Sequence, residues 1–334
     1  MKTKLFKSAL LSTSLLLFSA CSSKEVYEPI KLDADWKAYE TSKEAIIDTS
    51  SNVALLEDRT VLTEDGSIVD ITVAPSFRLI SQSDEWIVSA SVDGNVTLVF
   101  KNDITVFKHL ALKKSVAGAS VSGNELAVLF ADNEMAIYDI DTQATLFKEQ
   151  GGKYTAVDSR VVNPIFMRGL VLFGTLDGKV VFVNQAKRKR LRTVIVSSED
   201  NFNNVIAFNV VENKIIAATS YKILSMAKKE IRVKYELRSI VYDTNRVYIA
   251  TKQGEIISLT SNLQVESKVK FPFAHFYAMV VVGEKLYVLE KEGYLIVLDK
   301  NSFEYTVHEV DFDDGFVFTT KDTFFVDDKK ILTE

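Results

Sequence analysis

Apolar residues in this chain come in short paired runs. Gly169 to Asn184 shows the pattern best: Leu170-Val-Leu-Phe173, a polar break at Asp177-Gly178, then Val180-Val-Phe-Val183. Runs of four to six residues on either side of a tight turn predict a β-hairpin. Apolar residues on both faces of each arm predict strands covered on two sides. An Asp-Gly pair suits a type I′ turn, since both residues tolerate positive φ. The same unit recurs at Val53–Leu62, Trp86–Phe100, Leu126–Tyr138, Ile215–Met226, Val247–Leu259, Leu286–Leu298 and Thr323–Leu332.

The turns centre on Arg59, Gly94, Asn133, Gly178, Tyr221, Gly254, Gly293 and Asp328, spaced 35, 39, 45, 43, 33, 39 and 35 residues apart. A period near 40 without helical patterning predicts an all-β, eight-bladed β-propeller of four-stranded blades, with seven blades as the alternative because the first repeat is short. Each period holds two further β-like runs. An inner one precedes the hairpin, as in Ser115–Val121 or Phe276–Val282, and a more polar outer one follows it, as in Ala144–Glu149 or Glu230–Glu236. The eighth hairpin ends beside Glu334 with no outer strand to follow. The expectation is that residues within Tyr27–Thr41 supply it and close the ring, with Trp36 docking this segment on the propeller.

Residues 1–20 read as an export signal. Lys2, Lys4 and Lys7 form a basic start, and Ala9–Phe18 is an apolar stretch too short to span a bilayer. The following Leu17-Phe-Ser-Ala-Cys21 resembles the lipobox of bacterial lipoproteins, with Phe18 where Leu is usual. The resemblance implies cleavage before Cys21 and acylation of its sulfur, with Ser22 after it implying the outer membrane. Residues 21–44 are then a lipidated tether and residues 45–334 the propeller. Cys21 is the only cysteine, so no disulfide forms within the chain.

The formal charge of −5 falls further once the signal is removed. Such a chain is a poor nucleic-acid binder, for which a basic face is needed. Lys187-Arg-Lys-Arg-Leu-Arg192 is a local basic run. It reads first as a solvated strand or turn, and second as a docking patch, through Arg188 and Arg190, for an acidic partner or anionic lipid. The three histidines, His109, His275 and His308, lack the spacing of a metal site, and no nucleophile elbow, P-loop or dinucleotide fingerprint occurs. Asp313-Asp314 and Asp327-Asp328 read as turn residues rather than cation ligands.

The third repeat, Asp132-Asn-Glu-Met-Ala-Ile-Tyr-Asp-Ile-Asp-Thr-Gln-Ala-Thr-Leu-Phe147, is similar to the quinoprotein-type (PQQ-like) repeat. Asp139 and Thr142 match, Phe147 stands where Trp is usual and Gln143 replaces Gly. Gly293 and Asp299 match in the seventh. A lipobox followed by eight such repeats resembles the BamB-type lipoproteins of the outer-membrane β-barrel assembly machinery. The resemblance implies a non-enzymatic periplasmic scaffold without cofactor, held to the membrane by its N-terminal lipid and binding the barrel insertase or other envelope proteins. The segment comparable to that family's insertase contact is Ala156–Asn163, with Arg160 as a charged and Val162 as an apolar contact. Quinoprotein dehydrogenases of similar repeat use an adjacent-cysteine disulfide, which one cysteine cannot supply. The competing readings are an envelope module that binds a small molecule, glycan or protein on the propeller face, and an enzyme built in the central funnel.

Overall fold

A computed structural model describes residues 25–83 and 85–333. The signal peptide and Cys21 lie outside the described residues. Among these residues the chain forms eight four-stranded antiparallel sheets and no helix. They are the blades of an eight-bladed propeller, numbered here in chain order from Ile46. Blade 1 runs from Ile46–Thr49 to Ile68–Val69, blade 2 from Phe77–Ser83 to Phe107–Ala111, and blade 3 from Val116–Ser122 to Thr145–Gln150. Blade 4 runs from Ile165–Met167 to Lys189–Ile195, blade 5 from Ala207–Val211 to Glu230–Lys234, blade 6 from Leu237–Tyr242 to Val265–Lys270, and blade 7 from Phe276–Val282 to Tyr305–Glu309. Blade 8 takes Val317–Thr319, Thr323–Val326 and Lys329–Leu332 from the C-terminal end and Tyr39–Thr41 from the N-terminal segment. Tyr39 pairs with Ile331 and Thr41 with Lys329, so the ring closes through the N-terminal strand as the missing fourth strand required.

The turn residues found in the sequence are structurally equivalent. In every blade the carbonyl of that residue accepts an N–H from just beyond the outer strand: Arg59 from Val73, Gly94 from Leu112, Asn133 from Gly151, Gly178 from Val196, Tyr221 from Tyr235, Gly254 from Phe271, Gly293 from Val310 and, across the closure, Asp328 from Ser42. Their conformations differ. At Asp177-Gly178 only Gly178 has positive φ, +81°, and its N–H turns back to Thr175 O. This is a three-residue loop ending in a left-handed glycine, not the two-residue type I′ turn expected. Tyr221 is not left-handed, and in blade 8 the left-handed residue is Asp327, at +52°, not Asp328. The Asp139 turn behaves as the repeat pattern implies. Asp139 Oδ1 accepts both the N–H and the hydroxyl of Thr142 at 2.8 Å, and Gln143 sits at φ +58° where glycine is usual. Asp299 with Ser302 and Phe303, and Asn184 with Lys187 and Arg188, repeat it.

Two-sided burial has a direct cause. The hydrophobic core is distributed as eight clusters among the described residues, one at each blade–blade interface. In blade 3, for example, Val128 and Phe130 face blade 2, while Ala127 and Leu129 face blade 4. Alternate residues of one strand therefore enter different clusters, and runs such as 170–173 and 180–183 are apolar on both faces. The cluster between blades 8 and 1 is the smallest: Ile46, Ala54, Leu56, Leu62, Phe318 and Phe325. Trp36 strengthens the neighbouring closure by packing between blades 7 and 8.

Candidate functional site

Antiparallel blades put two kinds of loop on the same face: the links from one blade's outer strand to the next blade's inner strand, and the turns between second and third strands. This upper face surrounds the mouth of a central channel of about 490 Å³. The inner strands of blades 1, 2, 3, 6 and 7 each carry a β-bulge near that mouth. A bulge leaves one residue unpaired and re-aims its side chain. In blade 6 the bulged residue is Arg238, between Leu237 and Ser239; in blade 7 it is Tyr277. Both line the channel mouth.

From the mouth a groove of about 470 Å³ crosses the upper face over blades 4 to 7. Arg160 forms one wall. Its Nε donates to Asp158 Oδ1 at 2.8 Å and its Nη1 to Arg238 O at 2.7 Å. Ser220 Oγ donates to Asp158 Oδ2 at 2.6 Å. Burial alone would raise the Asp158 carboxyl, but the Arg160 guanidinium and the Ser220 hydroxyl outweigh it and hold it down at about 2. Asn204, fully buried, clamps this loop from the link between blades 4 and 5: its amide donates to Asp158 O and Arg160 O and its carbonyl accepts from Asp158 N. The opposite wall carries Arg238 and Lys252, neither of which forms an ion pair among the described residues. Partial burial and the nearby Arg160 charge push the Arg238 guanidinium below its ordinary value, and Lys252 lies 5.7 Å over the Tyr221 ring. Against three cations the groove lining offers one acid, Asp158, which is already engaged.

Phe202 closes the far end, 45% exposed and at φ +52°. Its N–H is fixed to Ala156 O at 2.8 Å, and the neighbouring Asn203 amide donates to Asp177 O and Ser197 O. A bulky residue at positive φ is strained by about 1–3 kcal/mol and persists only where its surroundings hold it. The groove thus combines an exposed aromatic ring on a fixed backbone with an excess of positive charge, an arrangement suited to docking an acidic polypeptide segment.

The residues singled out in the sequence separate. Arg160 is in this groove. Val162, two positions on, is half-buried among the side chains between blades 4 and 5. A Cβ on Gly174 would lie 2.5 Å from Val162 Cγ1, so the two pack directly. Arg188 and Arg190 are not on the upper face. Arg188 lies in the turn before blade 4's outer strand, at φ +52°, and pairs with Glu125; Arg190 pairs with Glu149, both from blade 3. Arg192 pairs with Glu230 of blade 5, so the arginines of the basic run bridge neighbouring blades. His109 meets Thr97, and His308 meets Ala34 O and Thr306. No group of three or more His, Cys, Asp or Glu suited to a metal ion occurs among the described residues. Arg238, Lys252 and Phe202 were not found from sequence. The Asx-rich run Asp200-Asn-Phe-Asn-Asn204 was the available signal, since amides at that density in a loop commonly cap backbone.

No family model matches the chain. It is 28% identical over 347 residues to the plasminogen-binding protein PgbB of Helicobacter pylori, in strains J99 and 26695, with 90% of this chain and 64% of the relative covered. The chain therefore spans under two thirds of the curated relatives it matches, and these are not BamB proteins. Among solved structures it is similar to BamB from Moraxella catarrhalis, with TM-score 0.67, 13% identity, and 89% and 98% of the two chains covered. It is also similar to the C-terminal WD40 domain of Sif2, with TM-score 0.65, 9% identity, and 91% and 100% covered. Identities this low show the propeller fold alone.

Proposed function

We propose that this protein is a lipid-anchored, non-catalytic interaction propeller of the cell envelope that docks an acidic segment of a partner protein in the upper-face groove over blades 4 to 7. The observation that carries this reading is the pairing of exposed, strained Phe202 with the unpaired cations Arg238 and Lys252 around fixed Arg160. Phe202 supplies an exposed apolar anchor and the cations select the partner's charge. The fold shared with BamB from Moraxella catarrhalis supports a scaffold of outer-membrane barrel assembly as the specific role, with the barrel insertase as partner. On this reading Cys21 carries the lipid and the protein faces the periplasm from the outer membrane. Arg188 and Arg190 enter an interface only by exchanging Glu125 and Glu149 for a partner's acids.

A C-terminally tagged protein, isolated from native envelopes in mild detergent, tests this. Recovery of a large outer-membrane barrel protein identified by mass, lost on Arg238→Glu plus Lys252→Glu, is expected. Undiminished recovery with that double variant would overturn the groove as the docking site. The similarity to PgbB supports a second reading, in which plasminogen is the partner. Saturable binding of immobilised plasminogen by the purified protein would favour it.

A further inference from the structure

A third and larger concavity, of about 820 Å³, lies on the outer wall where the N-terminal segment crosses blades 6 and 7. Tyr27 pins one end of this segment, buried edge-on against Phe271 at 5.8 Å and Tyr294 at 5.6 Å. Asp33 N and Trp36 N pin the other, donating to Val307 O and Glu309 O along the outer strand of blade 7. Between these points the chain arches away, and the space beneath is lined by Phe271, Val307 and Tyr305. Its rim carries exposed apolar residues among charged ones. Ile30 is 103% exposed, with its whole side chain in water, and Phe273 is 59% exposed at φ +64°. Val26 and Tyr305 are also exposed on this rim. Single exposed apolar residues are ordinary, but four around one groove mark a contact surface.

The position of this groove along the chain identifies what covers it. Glu25 stands four residues after Cys21. Four extended residues span at most about 14 Å. A lipid on Cys21 therefore holds the start of the groove within about that distance of the bilayer surface. We propose that the groove and its rim rest on the membrane that anchors Cys21, with Ile30 and Phe273 inserted among the acyl chains. The inference builds on the lipid-anchored reading. Charge around the groove is mixed: Lys31 and Lys270 stand against Glu25, Glu28 and Asp33. Contact then depends on apolar insertion and not on anionic headgroups. In this pose the wall of blades 6 and 7 faces the bilayer, the ring stands edge-on, and the upper-face groove opens sideways to partners.

Cys21 is the chain's only cysteine, and acylation blocks its thiol. Ile30→Cys in the acylated full chain can therefore be labelled alone with an environment-sensitive fluorophore, with Ile104→Cys, exposed on blade 2, as the reference. Each is reconstituted into phosphatidylethanolamine vesicles with and without phosphatidylglycerol and with nitroxide-bearing lipids. The expected result is a blue shift and loss of most emission to the nitroxide at position 30 and not at 104, unchanged by phosphatidylglycerol and reversed by adding Phe273→Asp. The mass of the N-terminal peptide separates the two ways of failing. An acylated chain whose label at position 30 stays in water, or is shielded only when a protein partner is added, overturns this inference and leaves the anchor standing. An unacylated Cys21 removes both.

Discussion

The indole N–H of Trp36 donates to the carbonyl of Leu332 at 2.9 Å, joining positions 296 residues apart. The ring also meets Tyr287 and His308 edge-on, at 6.1 and 5.2 Å. It lies just ahead of Tyr39–Thr41, the strand that completes blade 8. The cluster between blades 8 and 1 is the smallest, so Trp36, packed between blades 7 and 8, carries much of the apolar contact around this closure. Trp36→Ala is expected to cost about 3–5 kcal/mol. Trp36→Phe, which keeps most of the packing and loses the hydrogen bond, is expected to cost about 1–3 kcal/mol. Urea unfolding measures both. Equal losses would mean that the ring's packing does not matter.

Asn133 bolts blade 3 to blade 4. Its amide donates to Asp177 Oδ1 at 2.9 Å and Gly152 O at 2.8 Å, its carbonyl accepts from Leu176 N at 2.8 Å, and its backbone sits at φ +67°. Asn133→Gly loses the bonds but suits the backbone. Asn133→Ala loses them and also incurs the left-handed strain, about 1–2 kcal/mol. Alanine is therefore predicted to be the less stable variant, by about 1 kcal/mol. Calorimetric melting of the pair checks this order.

The Asp158 carboxyl, at about 2 in the folded protein, lies below its unfolded value of about 4. Its contribution is present above pH 4 and is lost as pH falls through 2. The stability gap between the native chain and Asp158→Asn should be about 2 kcal/mol at pH 7 and shrink toward zero across that window. Urea unfolding at a series of pH values measures it. A gap independent of pH would contradict this account.

Gly174 has room for no side chain: a Cβ would meet Val162 Cγ1 at 2.5 Å and Val205 Cβ at 3.0 Å. Gly174→Ala should destabilise by about 1–3 kcal/mol, and Val162→Ala in the same chain should recover part of that loss. Additive losses in a double-mutant cycle would refute direct packing.

The propeller was legible because each hairpin obeys local turn chemistry and repeats at one period, and because an eighth hairpin without a fourth strand demands one from the other terminus. The turn at Gly178 was misread because a dipeptide does not reveal whether one or both residues turn left-handed. The groove was less legible. Arg160 is singled out only by the resemblance of its loop to one in another family, and it lies in the groove wall. Arg238 reads as an ordinary strand residue, and only the bulge between Leu237 and Ser239 turns it into the channel. Arg188 and Arg190 drew notice as a basic run, yet the acids that engage them are on the preceding blade, beyond the reach of local pattern.

The most direct test replaces Phe202 with a photoreactive phenylalanine in cells that make the protein natively. Irradiation is predicted to join position 202 to one envelope protein, with the adduct lost on Arg238→Glu and absent from the same probe at Leu191 on the outer wall of blade 4. Adducts at Leu191 and none at Phe202 would contradict docking on the upper face.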